Sequence, residues 1–176
     1  MPTRAIFDNG DIYKVAVSTA GCHDNRMDKA SWNEAWMGKI GPHYAENSNY
    51  TAAHKLAGKL LLAHGEVDEN VPIAATLKLV EALLQANKVS SAFIGPVGTL
   101  LARHHRLLQD FEYFPLANEN HSLGRRADAP QGSWAGASRY MIRRRFDYFV
   151  RHLLGAEPPA EYVLPQEEAE QAGQYE

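Results

Sequence analysis

A chain of 176 residues that is 45% hydrophobic and 22% charged can bury one sizeable core, so a single domain is the expectation. The formal net charge of −3 argues against a polyanion-binding surface; Arg143, Arg144 and Arg145 read as a solvated helix face, and no nucleic-acid partner is expected. Cys22 is the single cysteine, which excludes a disulfide within the chain, and no run approaches the roughly 20 apolar residues of a membrane helix.

The opening Met-Pro-Thr-Arg-Ala-Ile-Phe lacks the layout of a signal peptide, and the sequence assigns no localisation. Residues 13–20 (Tyr-Lys-Val-Ala-Val-Ser-Thr-Ala) are rich in β-branched side chains and end at Gly21, as a core strand does. Residues 22–58 carry Trp32, Trp36 and Pro42 without a strong period, which predicts a long excursion holding one short helix over 32–37. Residues 59–63 (Lys-Leu-Leu-Leu-Ala), closed by His64-Gly65, have the continuous apolar character of a buried parallel strand. From Pro72 onward, Ile73, Leu77, Val80 and Leu84 recur at helical spacing and mark the apolar face of a helix that ends near Asn87.

Residues 89–109 contain Gly95-Pro96 and more chain than a helix-to-strand connection needs, so they read as an insert. Residues 111–116 (Phe-Glu-Tyr-Phe-Pro-Leu) form a third strand candidate, ended early by Pro115. After a second extra piece at 125–137, Ser138 can cap a last helix in which Ile142, Phe146, Phe149, Val150 and Leu153 share one face before Gly155 stops it. The stretch 156–176, with its prolines and repeated Glu and Gln, reads as a mobile acidic tail. This order gives the α/β class: a mostly parallel sheet flanked by helices.

In such folds the loops after strands expose the groups that do chemistry. Asp68, four residues past His64, is placed to orient an imidazole, where a carboxylate fixes the tautomer and stabilises the imidazolium; it could equally cap the helix beginning near Val71. His121 follows the third strand, where it could take a proton from a serine or be an ordinary loop residue. Acid, helix, strand and histidine in this order point to the acid and base of a Ser-His-Asp triad. No metal or other cofactor is expected, because His104 and His105 are adjacent and point apart on a helix, and His23 with Asp24 lacks a partner four residues on. Gly136-Ala137-Ser138-Arg139-Tyr140 has the spacing of a nucleophile motif but ends in Tyr and follows His121, so it is not taken as one.

Four segments carry a wider resemblance: Tyr13 to Ser18, Gly58 to Val71 with its His-Gly-Glu-Val-Asp-Glu-Asn-Val, Asn118 to His121, and Tyr140 to Val150. Over residues 3 to about 159, inserts apart, the chain resembles the C-terminal catalytic region of the prolyl oligopeptidase family, in its dipeptidyl-peptidase-IV-like branch. The resemblance implies the C-terminal portion of an α/β-hydrolase fold across residues 1–155, acting on peptides. It implies that Asp68 orients the base, that His121 is general base and acid, and that Asn70 hydrogen-bonds the substrate carbonyl. It puts Trp32, in Trp-Asn-Glu-Ala-Trp-Met-Gly, in the pocket for the residue before the cleaved bond.

The same resemblance puts the nucleophile, in Gly-x-Ser-x-Gly, ahead of Met1, with Thr3 already in the helix that follows it. The isolated chain is therefore expected to be inactive and to need an upstream segment or partner chain that completes both sheet and triad. A non-catalytic remnant or interaction module of the family, and an acyl esterase on the same fold, are the alternatives. Full-length relatives are commonly exported or membrane-associated. Ser122 stands where glycine is common in the family.

Overall fold

The computed structural model describes residues 2–88, 110–123 and 139–161; the expected inserts 89–109 and 125–137, the capping Ser138 and the tail beyond residue 161 lie outside the described residues. The chain divides into two compact units, 1–123 and 124–176.

In the first unit, helix α1 (Pro2–Asp8) is followed by a turn in which the Tyr13 N–H donates to the Asn9 carbonyl at 2.9 Å. That turn uses residues expected to be strand, so β1 begins later, at Val15–Thr19, and ends where Ala20 takes a φ of 48°. Strand β2 (Lys59–Gly65) lies in the middle of the described sheet, parallel to β1 from Val15↔Lys59 to Thr19↔Ala63 and to β3 (Phe111–Leu116) from Leu60↔Phe111 to Gly65↔Leu116. Its continuous apolar run has the expected cause: Leu60, Leu61 and Leu62 are fully buried, so both faces of the strand are covered. Pro115 does not end β3. It pairs in register with His64 on an edge of the described sheet, where a missing N–H is tolerated.

Helix α4 (Ile73–Gln85) corrects the expected face. Ala75, Thr76, Leu79 and Leu83 are buried and Val80 is half-buried, whereas Leu77 and Leu84 are 46% and 55% exposed. The helix is apolar on more than one side, so spacing alone does not choose the core face. Thr76, being polar, has no place in the expected stripe, yet its hydroxyl is bonded to a buried histidine and turns that side inward.

The excursion between β1 and β2 holds more structure than its weak period suggested: α2 (Ala30–Met37), α3 (Pro42–Glu46) and a 3₁₀ helix (Asn49–Lys55). Ala52, Ala53 and Leu56 pack with Ile6, Phe7, Leu79 and Leu83 against the Leu60 and Leu62 side of the sheet. Asp24, 1% exposed, ties this excursion to α4. It accepts from Arg26 Nε at 3.0 Å and Nη2 at 2.9 Å, from the Arg26 backbone N–H at 3.1 Å, and from Lys78 Nζ at 2.5 Å. Burial alone would raise the Asp24 carboxyl, but the hydrogen bonds from Arg26 and Lys78 outweigh it and hold the group far below the usual carboxylate range.

In the second unit, α5 (Arg139–Leu153) buries Met141 and Tyr148, seven residues apart and so on one side of the helix. Phe146 and Leu153, expected on the covered face, are 53% and 57% exposed. Gly155, at φ 66°, follows the helix as expected. Among the described residues no helix is long and apolar enough to cross a membrane.

Candidate active site

The turn after β2 is organised by one carboxylate. Asp68 Oδ1 accepts the backbone N–H groups of Asn70 and Val71, both at 2.8 Å, and Oδ2 accepts Nδ1–H of His121 at 2.9 Å. Of the two roles considered for Asp68, the contact with an imidazole is found on Oδ2, while Oδ1 holds backbone N–H groups of the turn. It is not the helix cap, however: α4 starts at Ile73 with Pro72 at the cap position, and Oδ1 closes the turn ahead of it.

A second imidazole, unforeseen from sequence, faces the same carboxylate. His64, fully buried, puts Nε2 3.1 Å from Asp68 Oδ2 and 3.0 Å from the Val71 carbonyl, with Nδ1 2.7 Å from Thr76 Oγ1. Both neighbours of Nε2 are acceptors, so Nε2 carries the proton and Nδ1 accepts from the Thr76 hydroxyl. Four N–H groups thus surround a side chain with no exposed surface. Burial pushes the Asp68 carboxyl up, but the Val71 N–H, His121 and the Asn70 N–H pull it further down, so it is ionised. The stabilisation from these bonds is present above the ordinary carboxylate range and is lost as pH falls through the lowered folded value.

His121 comes from the loop after β3, 53 residues away, and that loop is fastened to the turn after β2. Val67 N–H donates to the Glu119 carbonyl at 3.1 Å, Asn118 N–H donates to Glu66 Oε2 at 3.2 Å, and Leu123, 2% exposed, anchors the far end. Ser122 causes no difficulty, since its N–H is taken by Asn120 Oδ1 at 2.9 Å. Gly65 explains the closeness of the two loops: a Cβ there would lie 2.3 Å from the Glu119 carbonyl oxygen and 2.5 Å from that of Asn120. Backbone atoms on both sides leave no room. Gly65→Ala is expected to destabilise by about 3 kcal/mol or more and to displace His121, read as a lower midpoint in urea and loss of the protected Nδ1 proton signal in NMR.

With Nδ1–H committed to Asp68, His121 Nε2 presents a lone pair and has no partner among the described residues. The ring borders a cavity of about 490 Å³ that Asn70 and Trp32 also line. Asn70 is held by Lys29, whose Nζ donates to its carbonyl at 2.8 Å and to its Oδ1 at 2.5 Å, leaving the carboxamide N–H groups for a ligand. Trp32 is 60% exposed and stands edge-on to Trp36, ring centroids 5.9 Å apart. All four residues named from sequence thus belong to one region. Lys29, His64 and Thr76 were missed. His64 lay in plain view four residues before Asp68, but Lys29 has no signature in one dimension. His23, 2% exposed, also borders the cavity; its ring nitrogen meets Asn49 at 2.9 Å, and burial, then nearby His64, pushes its pKa down to about 4, so it is neutral.

Comparisons with known proteins bear on the family and the fold of this chain. The prolyl oligopeptidase family model matches residues 1–96. Among solved structures, a protein of Bacteroides ovatus described as a dipeptidyl aminopeptidase IV superposes with a TM-score of 0.61 at 18% identity over 86% of this chain and 18% of its own. Porphyromonas gingivalis dipeptidyl peptidase 4 gives 0.54 at 21% identity, covering 82% of this chain and 16% of the other. Pyrococcus horikoshii acylaminoacyl peptidase gives 0.61 at 15% identity, covering 90% and 23%. No curated protein matches the chain. At these identities the structures speak to fold, and they identify the parallel sheet and its helices as part of an α/β-hydrolase. The chain spans less than a quarter of each of these proteins. With a family model matched over more than half of its length, the chain belongs to the prolyl oligopeptidase family of serine peptidases.

Proposed function

We propose that Asp68 and His121 are the acid and base of a Ser-His-Asp triad that cleaves short peptides, and that the serine is carried by polypeptide outside these 176 residues, in a longer chain or a partner. The observation that carries this is the 2.9 Å bond from His121 Nδ1–H to Asp68 Oδ2, made by a ring whose Nε2 stays open beside a cavity. No Gly-x-Ser-x-Gly occurs within the sequence.

The chemistry follows from these atoms. As a serine oxygen attacks the scissile carbonyl, Nε2 takes its proton and the resulting imidazolium is stabilised by the ionised Asp68. The same nitrogen then returns the proton to the leaving amine, and a water repeats the cycle on the acyl-enzyme. Asn70 donates its carboxamide N–H to a substrate carbonyl, and Trp32 walls the residue before the cleaved bond. Peptides rather than simple esters are favoured because Asn70 offers a donor that a peptide's additional carbonyl can use.

The test joins the chain to a strand–Gly-x-Ser-x-Gly segment that leads directly into α1 and compares a dipeptide anilide with a simple acyl ester. Hydrolysis of the anilide is expected. Ester hydrolysis alone would favour an acyl esterase, and a folded but inert assembly would favour a non-catalytic module.

A further inference from the structure

One ammonium decides which way the Asn70 carboxamide faces. Lys29 stands just ahead of α2 and Asn70 in the turn after β2, yet Lys29 Nζ donates to both oxygens of Asn70, the backbone carbonyl at 2.8 Å and Oδ1 at 2.5 Å. The Asn70 backbone is fixed from the other side as well, since its N–H donates to Asp68 Oδ1 at 2.8 Å. A carboxamide left to itself can turn either its oxygen or its nitrogen toward a ligand, because the two ends have nearly the same size and shape. Beside an ammonium the choice is made: only the oxygen can accept from Nζ, and the reversed amide would set N–H groups against a cation. The carboxamide nitrogen makes no hydrogen bond among the described residues, and Asn70 and Lys29 border the same cavity as His121. Lys29 is anchored in turn by Asp28, whose Oδ1 accepts its backbone N–H at 2.6 Å and lies 3.8 Å from its ammonium.

We propose that Lys29 is a positioning residue of this site: it makes Asn70 a fixed hydrogen-bond donor, so that the cavity reads the additional carbonyl of a peptide. The inference rests on the peptidase reading of the same site. A positive charge on Oδ1 also strengthens the amide N–H groups as donors, since hydrogen bonds in a chain polarise one another. Direct contact between Lys29 and the substrate fits less well, because two of its three N–H donors are taken by Asn70 and Asp28 stands beside the ammonium.

NMR titration of the 176-residue chain tests this with Ala-norleucine amide and its (E)-alkene isostere, in which a carbon–carbon double bond replaces the inner amide and removes the alanine carbonyl. The peptide is expected to bind about tenfold tighter than the isostere. In Lys29→Met, which keeps the aliphatic stem, the preference is expected to fall to about twofold, and Lys29→Arg is expected to keep part of it. Lys29→Met combined with Asn70→Ala should show no smaller preference than Asn70→Ala alone, because Lys29 acts through Asn70. A merely structural role would weaken both ligands alike and leave their ratio unmoved. A preference that survives Lys29→Met, or losses that add in the double variant as direct contact requires, would overturn the inference and leave the peptidase reading standing. Absence of binding by either ligand would overturn both.

Discussion

In an enzyme reassembled with its serine, His121→Gln is expected to lower kcat by about 10⁶ and Asp68→Asn by about 10⁴, with the double variant little worse than His121→Gln alone. The gap between the two reflects what each side chain does. In the proposed triad His121 is the group that moves the proton, and without it the serine hydroxyl has no base within reach. Asp68 does not move a proton; it holds Nδ1–H, and through it the tautomer that exposes the Nε2 lone pair. In Asp68→Asn the remaining side-chain oxygen can still accept from Asn70 and Val71, but the amide nitrogen then confronts Nδ1–H of His121 and Nε2–H of His64. The conflict among donors is relieved when His121 turns its lone pair toward the substituted amide and its N–H toward the cavity, which is the wrong form for a base. Single-turnover rates with a dipeptide anilide read this directly, since substrate binding should change much less than the chemical step.

Asp24→Ala is expected to destabilise the fold by about 2 to 3 kcal/mol at neutral pH, or roughly 5 to 10 °C in thermal midpoint. The carboxylate is 1% exposed and is the shared acceptor for Arg26 and Lys78, so its removal leaves two cations and the Arg26 N–H without their partner. The expected loss stays below the usual figure for a broken buried pair because the Arg26 and Lys78 side chains are 39% and 36% exposed and water can rescue them. The pH dependence has a definite sign. A carboxyl lowered in the folded state stabilises above its unfolded value and loses that contribution as pH falls, so the gap between Asp24→Ala and the parent should narrow below about pH 4. Calorimetry at about pH 7 and about pH 3, on either side of the ordinary carboxylate range, measures the difference.

Much of the fold was legible because parallel core strands announce themselves as apolar runs with turn residues at their ends, and β2 and β3 lie where those runs lie. Asp68 and His121 were legible for a related reason: each stands just beyond a strand, and their order matches a triad. What sequence left hidden is what three dimensions decide. Leu77 and Ala75 both fit a helical stripe, and only the sheet that α4 meets determines that Ala75 is the buried one. Thr76 is inside because His64 needs its hydroxyl, a pairing twelve residues apart. Lys29 reaches Asn70 across 41 residues, and neither residue type at that separation carries a signal. The short helices of the excursion were missed because α3 and the 3₁₀ helix are too short to establish a period.

The most direct measurement is labelling by a fluorophosphonate probe, which reports an activated serine without requiring turnover. Triad chemistry predicts no label on the 176-residue chain, strong labelling once a Gly-x-Ser-x-Gly segment is joined ahead of it, and labelling slowed by orders of magnitude in the joined protein carrying His121→Gln. Labelling of the chain alone, or labelling of the joined protein that is indifferent to His121, would contradict the assignment of Asp68 and His121 as acid and base.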